Sequence, residues 1–148
     1  MTRPITLVYS LAASLSLFGS PTAAQDTDWQ HVTATREGLV GGLTASGHRI
    51  APSDWFVALP SRTALHRRVR VCHATRCITA EALDVGPWNT RDPYWQTARR
   101  PHAESGRDTR GRRTNGAGID LADGVSEALR CGDRCQVSWR FDDRHRVD

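Results

Sequence analysis

The stretch RVRVCHATRCITAEALDVGPW, residues 68–88, decides the fold more than any other part of the chain. Residues 68–72 alternate arginine with apolar side chains, and a second strand-like run, residues 77–84, follows after four residues. Alternation is the period of a strand, and a short polar break between two such runs predicts a β-hairpin. The dipeptide Gly86-Pro87 then ends the second strand and turns the chain.

The rest of the chain outside the N-terminus adds short strands and one helix. Apolar, β-branched or alternating runs predict strands at residues 29–35, 55–59 and 136–141. Helical spacing of Leu121, Val125 and Leu129 predicts a short amphipathic helix over residues 121–130. Short strands with long connections in a small domain favour a closed barrel, because closure removes exposed strand edges. The predicted class is all-β, a small closed barrel with a short helix and a long polar insert loop.

The N-terminus predicts export. Arg3 precedes a mostly apolar run over residues 5–18, and small residues around Ala24 suit a cleavage site. We interpret residues 1–24 as a signal peptide, and an uncleaved N-terminal anchor is the alternative. Residues 25–28 form a short leader, residues 29–141 one domain and residues 142–148 a charged tail. The expected location is the periplasm or the exterior, without stable membrane insertion.

The four cysteines fall into two close pairs. An exported protein meets an oxidising compartment, where such pairs form disulfides more readily than metal sites. We expect bridges Cys72–Cys77 and Cys131–Cys135, although four cysteines allow three connectivities. Neither pair has the two-residue spacing of a zinc site, so no metal and no other cofactor is expected.

The charge pattern favours an anionic polymer as partner. All 20 cationic residues are arginine, and the formal net charge is +4. Arginine offers a fixed charge and planar donors that suit carboxylates and phosphates. For an exported protein this favours acidic cell-wall polymers and disfavours nucleic acid. We expect a monomer.

Two aspartates mark a candidate site. Asp84 and Asp120 stand in apolar strand-like contexts at either end of a polar loop. Burial at a strand end raises the pKa of a carboxyl group and suits it for proton transfer. Trp88, Tyr94 and Trp95 add faces that stack on sugar rings. The alternative is an ordinary turn whose aromatic residues cap a small core.

The loop between the aspartates, residues 89–113, carries no regular period. A loop this long inside a compact domain is usually functional or disordered. We expect residues 104–113 to be its mobile part, and the aromatic residues to hold its beginning.

The order of several short motifs resembles a known family, the double-psi β-barrel domain of rare lipoprotein A and the expansins. The resemblance spans residues 29–141, and the motifs are Thr44-Ala45-Ser46-Gly47, Val57-Ala58-Leu59-Pro60, the hairpin of residues 68–83, Asp84-Val85-Gly86-Pro87-Trp88 and Ile119-Asp120-Leu121. Proteins similar to rare lipoprotein A are lytic transglycosylases that cut peptidoglycan strands, whereas expansins bind wall polysaccharide without demonstrable hydrolysis. The resemblance therefore implies a small six-stranded double-psi β-barrel with one or two short helices. It also implies peptidoglycan or another cell-wall polysaccharide as partner.

The resemblance also implies residue roles. Asp84 falls on the family aspartate before Gly-Pro and becomes the candidate general acid and base, while Asp120 opens the last helix. His48 stands where the enzymes carry glutamate, and with Asp120 it is a candidate to hold substrate or stabilise positive charge. Thr44 and Asn115 join the three aromatic residues as candidate substrate contacts.

Three functions stay open on this basis. The first is a lytic transglycosylase, which needs a single carboxyl group to give and retake a proton. An inverting hydrolase, which is a different glycan-cleaving mechanism, would instead need two carboxyl groups about 6.5–9.5 Å apart. The second is a non-catalytic expansin-like binding module, and the third is a secreted interaction or inhibitor module that uses the barrel only as a scaffold.

Overall fold

The computed structural model describes residues 29–143, so the predicted signal peptide, the leader and most of the charged tail lie outside the described residues. Six strands close into a barrel in the order β1-β5-β2-β4-β3-β6. Their bounds are β1 Gln30–Arg36, β2 Phe56–Leu59, β3 Arg68–His73, β4 Arg76–Val85, β5 Ala117–Leu121 and β6 Arg134–Phe141. The predicted small six-stranded all-β barrel is confirmed. No helix among residues 29–143 has the length and apolar character to cross a membrane.

The hairpin of β3 and β4 follows the alternation read from the sequence. Val69 and Val71 are buried in the barrel, whereas Arg68 and Arg70 are exposed. The antiparallel register pairs Cys72 with Cys77, and their sulfurs form a disulfide. Cys131 and Cys135 form the second bridge, so both expected local pairings are confirmed.

The centre of the core is aromatic. Trp139 of β6 is fully buried and packs edge to face on Tyr94, Trp95 and Phe141. The Tyr94 hydroxyl donates to the Gly118 carbonyl oxygen at 3.0 Å and accepts from Trp139 Nε1 at 2.9 Å. The loop of residues 89–113, which we call the insert, therefore supplies part of the core.

This packing corrects the prediction that Tyr94 and Trp95 bind substrate. Tyr94 is 1% exposed and Trp95 is 7% exposed, so neither ring has a free face for a sugar. Their burial is favoured because two large aromatic side chains remove much apolar surface from water. The alternative that the aromatic residues cap a core is correct for these two.

The insert is folded, although it is irregular. It contains two 3-10 turns, Tyr94–Gln96 and His102–Ser105. Asp108 is buried and accepts hydrogen bonds from Arg110 N and from Arg112 N and Nε. The part expected to be mobile is thus tied by hydrogen bonds to a buried carboxylate.

A single α-helix, α1 Asp123–Leu129, follows β5 directly. It begins later than predicted because Leu121 belongs to β5 and is buried in the barrel. Gly124 allows close packing, since a Cβ there would lie 2.4 Å from the Ser53 carbonyl oxygen.

Candidate functional site

Four neighbouring strands place one residue each in a row across the barrel surface. Thr35 of β1 pairs with Asp120 of β5, Asp120 pairs with Ala58 of β2, and Ala58 pairs with Asp84 of β4. Side chains of directly paired residues lie on the same face of a sheet. Ala58 separates the two aspartates with only a methyl group, so the row forms a depression with acids on both sides.

A β-bulge turns Asp84 toward this depression. The pairing of β2 with β4 passes from Val57 opposite Ala82 to Ala58 opposite Asp84, so Leu83 is the extra residue. Without the bulge, Asp84 would follow Ala82 on the inward side of the alternation. A bulge places an added residue in one strand and re-aims the next side chain. Here it brings Asp84 to the face that holds Asp120.

The depression is an open cavity of about 500 Å³, which we call the acidic groove. Its wall comes from the row of four, from the end of β1 and from both ends of the insert. The lining residues are Thr35, Arg36, Glu37, Leu39, Ala58, Asp84, Val85, Gly86, Pro87, Trp88, Asn115 and Asp120. Asp84 and Asp120 thus share one groove, although they are distant in sequence.

The carboxylate of Asp84 is held by the backbone. Its Oδ1 accepts from Ala45 N at 2.7 Å and from Val85 N at 2.8 Å. The first donor belongs to the Thr44–Gly47 motif, so this motif positions the acid. Two fixed donors give the carboxylate a defined orientation in the groove.

Asp120 lies deeper and has a raised pKa. Burial raises the pKa of Asp120 to about 6, and the negative charge of Asp84 adds to the rise. The Thr35 hydroxyl donates to Asp120 Oδ1 and opposes the shift. Asp120 therefore changes its protonation state just below neutral pH.

Glu37 is a third acid in the groove, and it was not among the site residues predicted from the sequence. Burial raises the pKa of Glu37 to about 9, and a hydrogen bond with Asp84 and the charges of Asp84 and Asp120 act in the same direction. Among residues 29–143, no N–H or hydroxyl donates to its buried Oε2. A hydrogen bond between two carboxyl groups needs a proton on one of them, and the pKa assigns that proton to Glu37.

A sequence signal for Glu37 exists. It follows β1 directly and precedes Gly38, which has a φ of 74°. An acid at the end of a strand beside a glycine turn has the same context as Asp84 before Gly86. What the sequence does not show is that β1 and β4 end at the same groove.

Trp88 and Asn115 close one side of the groove. Trp88 Nε1 donates to Asn115 Oδ1 at 2.8 Å, and the ring is 37% exposed. Trp88 has a φ of 65°, in the left-handed region that a tryptophan rarely occupies. Such strain persists at ligand-binding sites because the surrounding structure holds it in place. Both predicted contact residues are therefore available to a ligand.

His48 and Thr44 do not line the groove. His48 Nε2 lies 2.7 Å from Asp54 Oδ2, and its ring packs edge to face on Phe56. Thr44 is buried, and its Oγ1 accepts from His48 N. Both residues lie in the turn that presents Ala45 N to Asp84, so the structure places them beside the groove and not in its wall.

The arginine that lines the groove, Arg36, is paired with acids of α1 and not with the acids of the groove. Arg36 reaches it, but its Nε donates to Asp123 of α1 at 2.6 Å and its Nη2 to Glu127 at 3.4 Å. No group of three or more histidine, cysteine, aspartate or glutamate side chains within residues 29–143 has a metal-binding arrangement. The three acids therefore perturb one another directly.

A family model described as "Domain of unknown function (DUF8814)" matches residues 26–104. The match covers more than half of the chain, and the chain belongs to this family. The search of curated proteins found no match to this chain.

Three solved structures, of two kinds of protein, are similar to this chain. Streptomyces papain inhibitor (SPI) matches with a TM-score of 0.50 and 15% identity over 78% of this chain and 94% of that chain. Apo expansin of Clavibacter michiganensis matches with a TM-score of 0.48 and 13% identity over 77% of this chain and 50% of that chain. A mutant of that expansin in complex with cellohexaose has a TM-score of 0.45 at 13% identity, with the same coverage. The chain spans about half the length of the expansin chains, and the resemblance to the double-psi β-barrel is confirmed as a resemblance of fold.

Proposed function

We propose that this DUF8814 protein is an exported glycan-active protein that binds a cell-wall polysaccharide in the acidic groove and cleaves it by proton transfer from Glu37. The observation that carries the proposal is a groove that brings together three acids, Glu37, Asp84 and Asp120, beside a partly exposed tryptophan, and burial there raises the pKa of Glu37. The two disulfides support an oxidising location.

Binding rests on the shape and chemistry of the groove. Trp88 offers a partly exposed aromatic face, and Asp84, Asp120 and Asn115 offer hydrogen-bond groups along the same wall. A flat apolar face beside convergent polar groups suits a sugar ring, which has apolar faces and a hydroxylated edge. Strand pairing holds Asp84 and Asp120 in place without rearrangement.

Cleavage rests on the division of protonation states. At neutral pH Glu37 carries a proton that it donates to the glycosidic oxygen as the bond breaks. Glu37 thereby takes the role of general acid and base that the sequence assigned to Asp84, and the carboxylates of Asp84 and Asp120 face the positive charge that develops on the sugar ring. A hydroxyl of the same sugar then attacks the anomeric carbon and returns its proton to Glu37, so the ring closes to an anhydro end. This is the lytic transglycosylase reaction, and peptidoglycan glycan strands are the proposed substrate.

The deciding experiment is incubation of the mature protein with peptidoglycan sacculi, followed by mass spectrometry of the released fragments. Anhydro-ended fragments that disappear with Asp120→Asn and Asp84→Asn are the expected result. Trp88→Ala is expected to weaken sedimentation with sacculi about tenfold, which corresponds to one lost stacking contact. Binding without new chain ends would reduce the proposal to an expansin-like module.

A second candidate is an interaction or inhibitor module. Leu39, Val40 and Leu43 are all more than half exposed on the loop that borders the groove, and exposed apolar groups mark protein contacts. The likeness to a papain inhibitor makes a papain-type protease the first target to test. Inhibition that is lost in Val40→Ser and kept in Asp84→Asn would favour this candidate over the glycan.

A further inference from the structure

A second cavity adjoins the acidic groove. It has a volume of about 610 Å³ and shares Val85 with the groove as a common wall. Ala45 lines it as well, and the backbone N–H of Ala45 is the donor that holds Asp84. The two depressions therefore lie side by side at the end of β4.

The second cavity has the opposite charge. Arg62, Arg91, Ser61, Thr63 and Thr90 contribute to its lining, and none of its lining residues is acidic. We call it the basic cavity. Within residues 29–143, neither the Arg62 nor the Arg91 guanidinium has a hydrogen-bond or ion-pair partner, whereas Arg36 of the acidic groove is tied to Asp123 and Glu127.

The backbone sets the two arginines on the same cavity. Arg62 begins a 3-10 turn, Arg62–Ala64, just after β2, and the Ser61 side chain accepts from Thr63 N at the start of that turn. Ser61 and Arg91 form an antiparallel bridge between the two segments. Arg91 thus lies opposite the residue before Arg62, and both charged groups line one space.

We infer that the basic cavity binds a carboxylate on the glycan whose neighbouring bond lies in the acidic groove, so that the substrate is an acidic polysaccharide. The inference rests on the proposed function. Two unpaired guanidinium groups without a competing acid fit a sugar carboxylate, which arginine binds through paired N–H donors. The acidic groove would repel the same group, so the two cavities fix the direction in which the chain lies.

The test compares two oligosaccharides that differ only in charge. Hexagalacturonate and its fully methyl-esterified form are titrated into the protein by calorimetry at low ionic strength. We expect the free acid to bind about tenfold more tightly than the ester, a preference of about 1.4 kcal/mol. The double variant Arg62→Gln/Arg91→Gln should bind both forms equally. The matched control Arg76→Gln/Arg113→Gln removes two exposed arginines that line neither cavity and should keep the preference.

The outcomes separate this inference from the proposed function. Equal binding of the two forms by the unmodified protein, or a preference that survives in Arg62→Gln/Arg91→Gln, would overturn the basic cavity as a carboxylate site. Glycan binding that still depends on Trp88 would in that case leave the proposed function standing. Failure of the protein to bind these oligosaccharides and peptidoglycan sacculi alike would remove both.

Discussion

The acidic groove and the basic cavity are built in different ways. Two of the groove acids lie on β4 and β5, and their positions follow from the register of four neighbouring strands. Glu37 follows β1 directly, and its backbone N–H donates to the Leu121 carbonyl oxygen of β5 at 2.9 Å. The arginines of the basic cavity lie on turns after β2 and in the insert, with no partner among the described residues. Proton transfer needs fixed geometry, whereas recognition of a charged substituent tolerates adaptable side chains. The difference supports the proposal that the groove performs chemistry and the cavity recognises the ligand.

The strongest test of this division is Glu37→Gln. Loss of the proton donor should lower glycan cleavage about 100-fold or more, because general acid catalysis contributes that much. Glycan affinity should change little, since glutamine keeps the size of the side chain. The measurement is the rate of release of anhydro-ended fragments. Glu81→Gln is the control, because Glu81 is exposed and its side chain bonds His66 outside both depressions. Full activity in Glu37→Gln would refute the assignment of the proton donor.

The next effect concerns the attachment of the insert to the core. Tyr94→Phe removes a hydroxyl that bonds Gly118 O and Trp139 Nε1, and both groups stay buried. We expect a loss of about 2 kcal/mol in the free energy of unfolding, measured by urea denaturation. Thr97→Val, which removes an exposed hydroxyl next to Tyr94, should cost less than about 0.5 kcal/mol. Equal effects of the two substitutions would show that the buried bonds do not fasten the insert.

The protonation of Glu37 also predicts how stability depends on pH. Its pKa is about 9 in the folded protein and 4.5 ordinarily, so the folded state keeps a proton that the unfolded chain releases. Stability from this group is fully present below pH 4.5 and is lost as pH rises toward 9. Between pH 6 and 9, above the pKa of Asp120, Tm should fall by roughly 10 °C or more.

Thermal unfolding followed by circular dichroism at several pH values measures this slope. Glu37→Gln should flatten most of the decline, because glutamine does not titrate. A slope that is the same in the variant and the unmodified protein would show that other groups cause it.

The smallest effect on either cavity is expected from the Cys72–Cys77 disulfide, which closes the β3–β4 turn. Cys72→Ser/Cys77→Ser should lower Tm, because the bridge restricts the unfolded chain. Glycan affinity should change less than about twofold, since neither cysteine lines the groove or the basic cavity. Loss of binding in the folded double variant would place this turn in the ligand site.

The sequence predicted the parts of the fold that depend on near neighbours. The β3–β4 hairpin, the helix after β5 and the two local disulfides each involve residues close together in the chain. Trp88 and Asn115, predicted as substrate contacts from a turn signal and a polar context, line the groove in the structure, and their contact with a substrate stays a prediction. Asp84 and Asp120 were predicted as site residues from their strand-like contexts and from the order of the motifs. The structure places them in one groove.

The predicted site residues that lie outside the groove fall into two groups. Tyr94 and Trp95 were assigned to the groove because aromatic residues in a polar loop suit a binding surface as well as a core. Only the folded structure shows that both side chains pack into the core. His48 was assigned to catalysis by position in a motif, whereas its contact with Asp54 makes it a support.

The amino-acid sequence by itself determined the strand periods, the hairpin, the helix, the disulfides and the presence of acids at strand ends, because these follow from local alternation and short separations. Only the tertiary structure decided which acids meet. Parallel pairing of β1 with β5 and of β2 with β4, together with the bulge at Leu83, joins Glu37, Asp84 and Asp120 across strands far apart in sequence. Their burial beside one another then raises the pKa of Glu37 and of Asp120, an effect that arises only when the charges share one desolvated space.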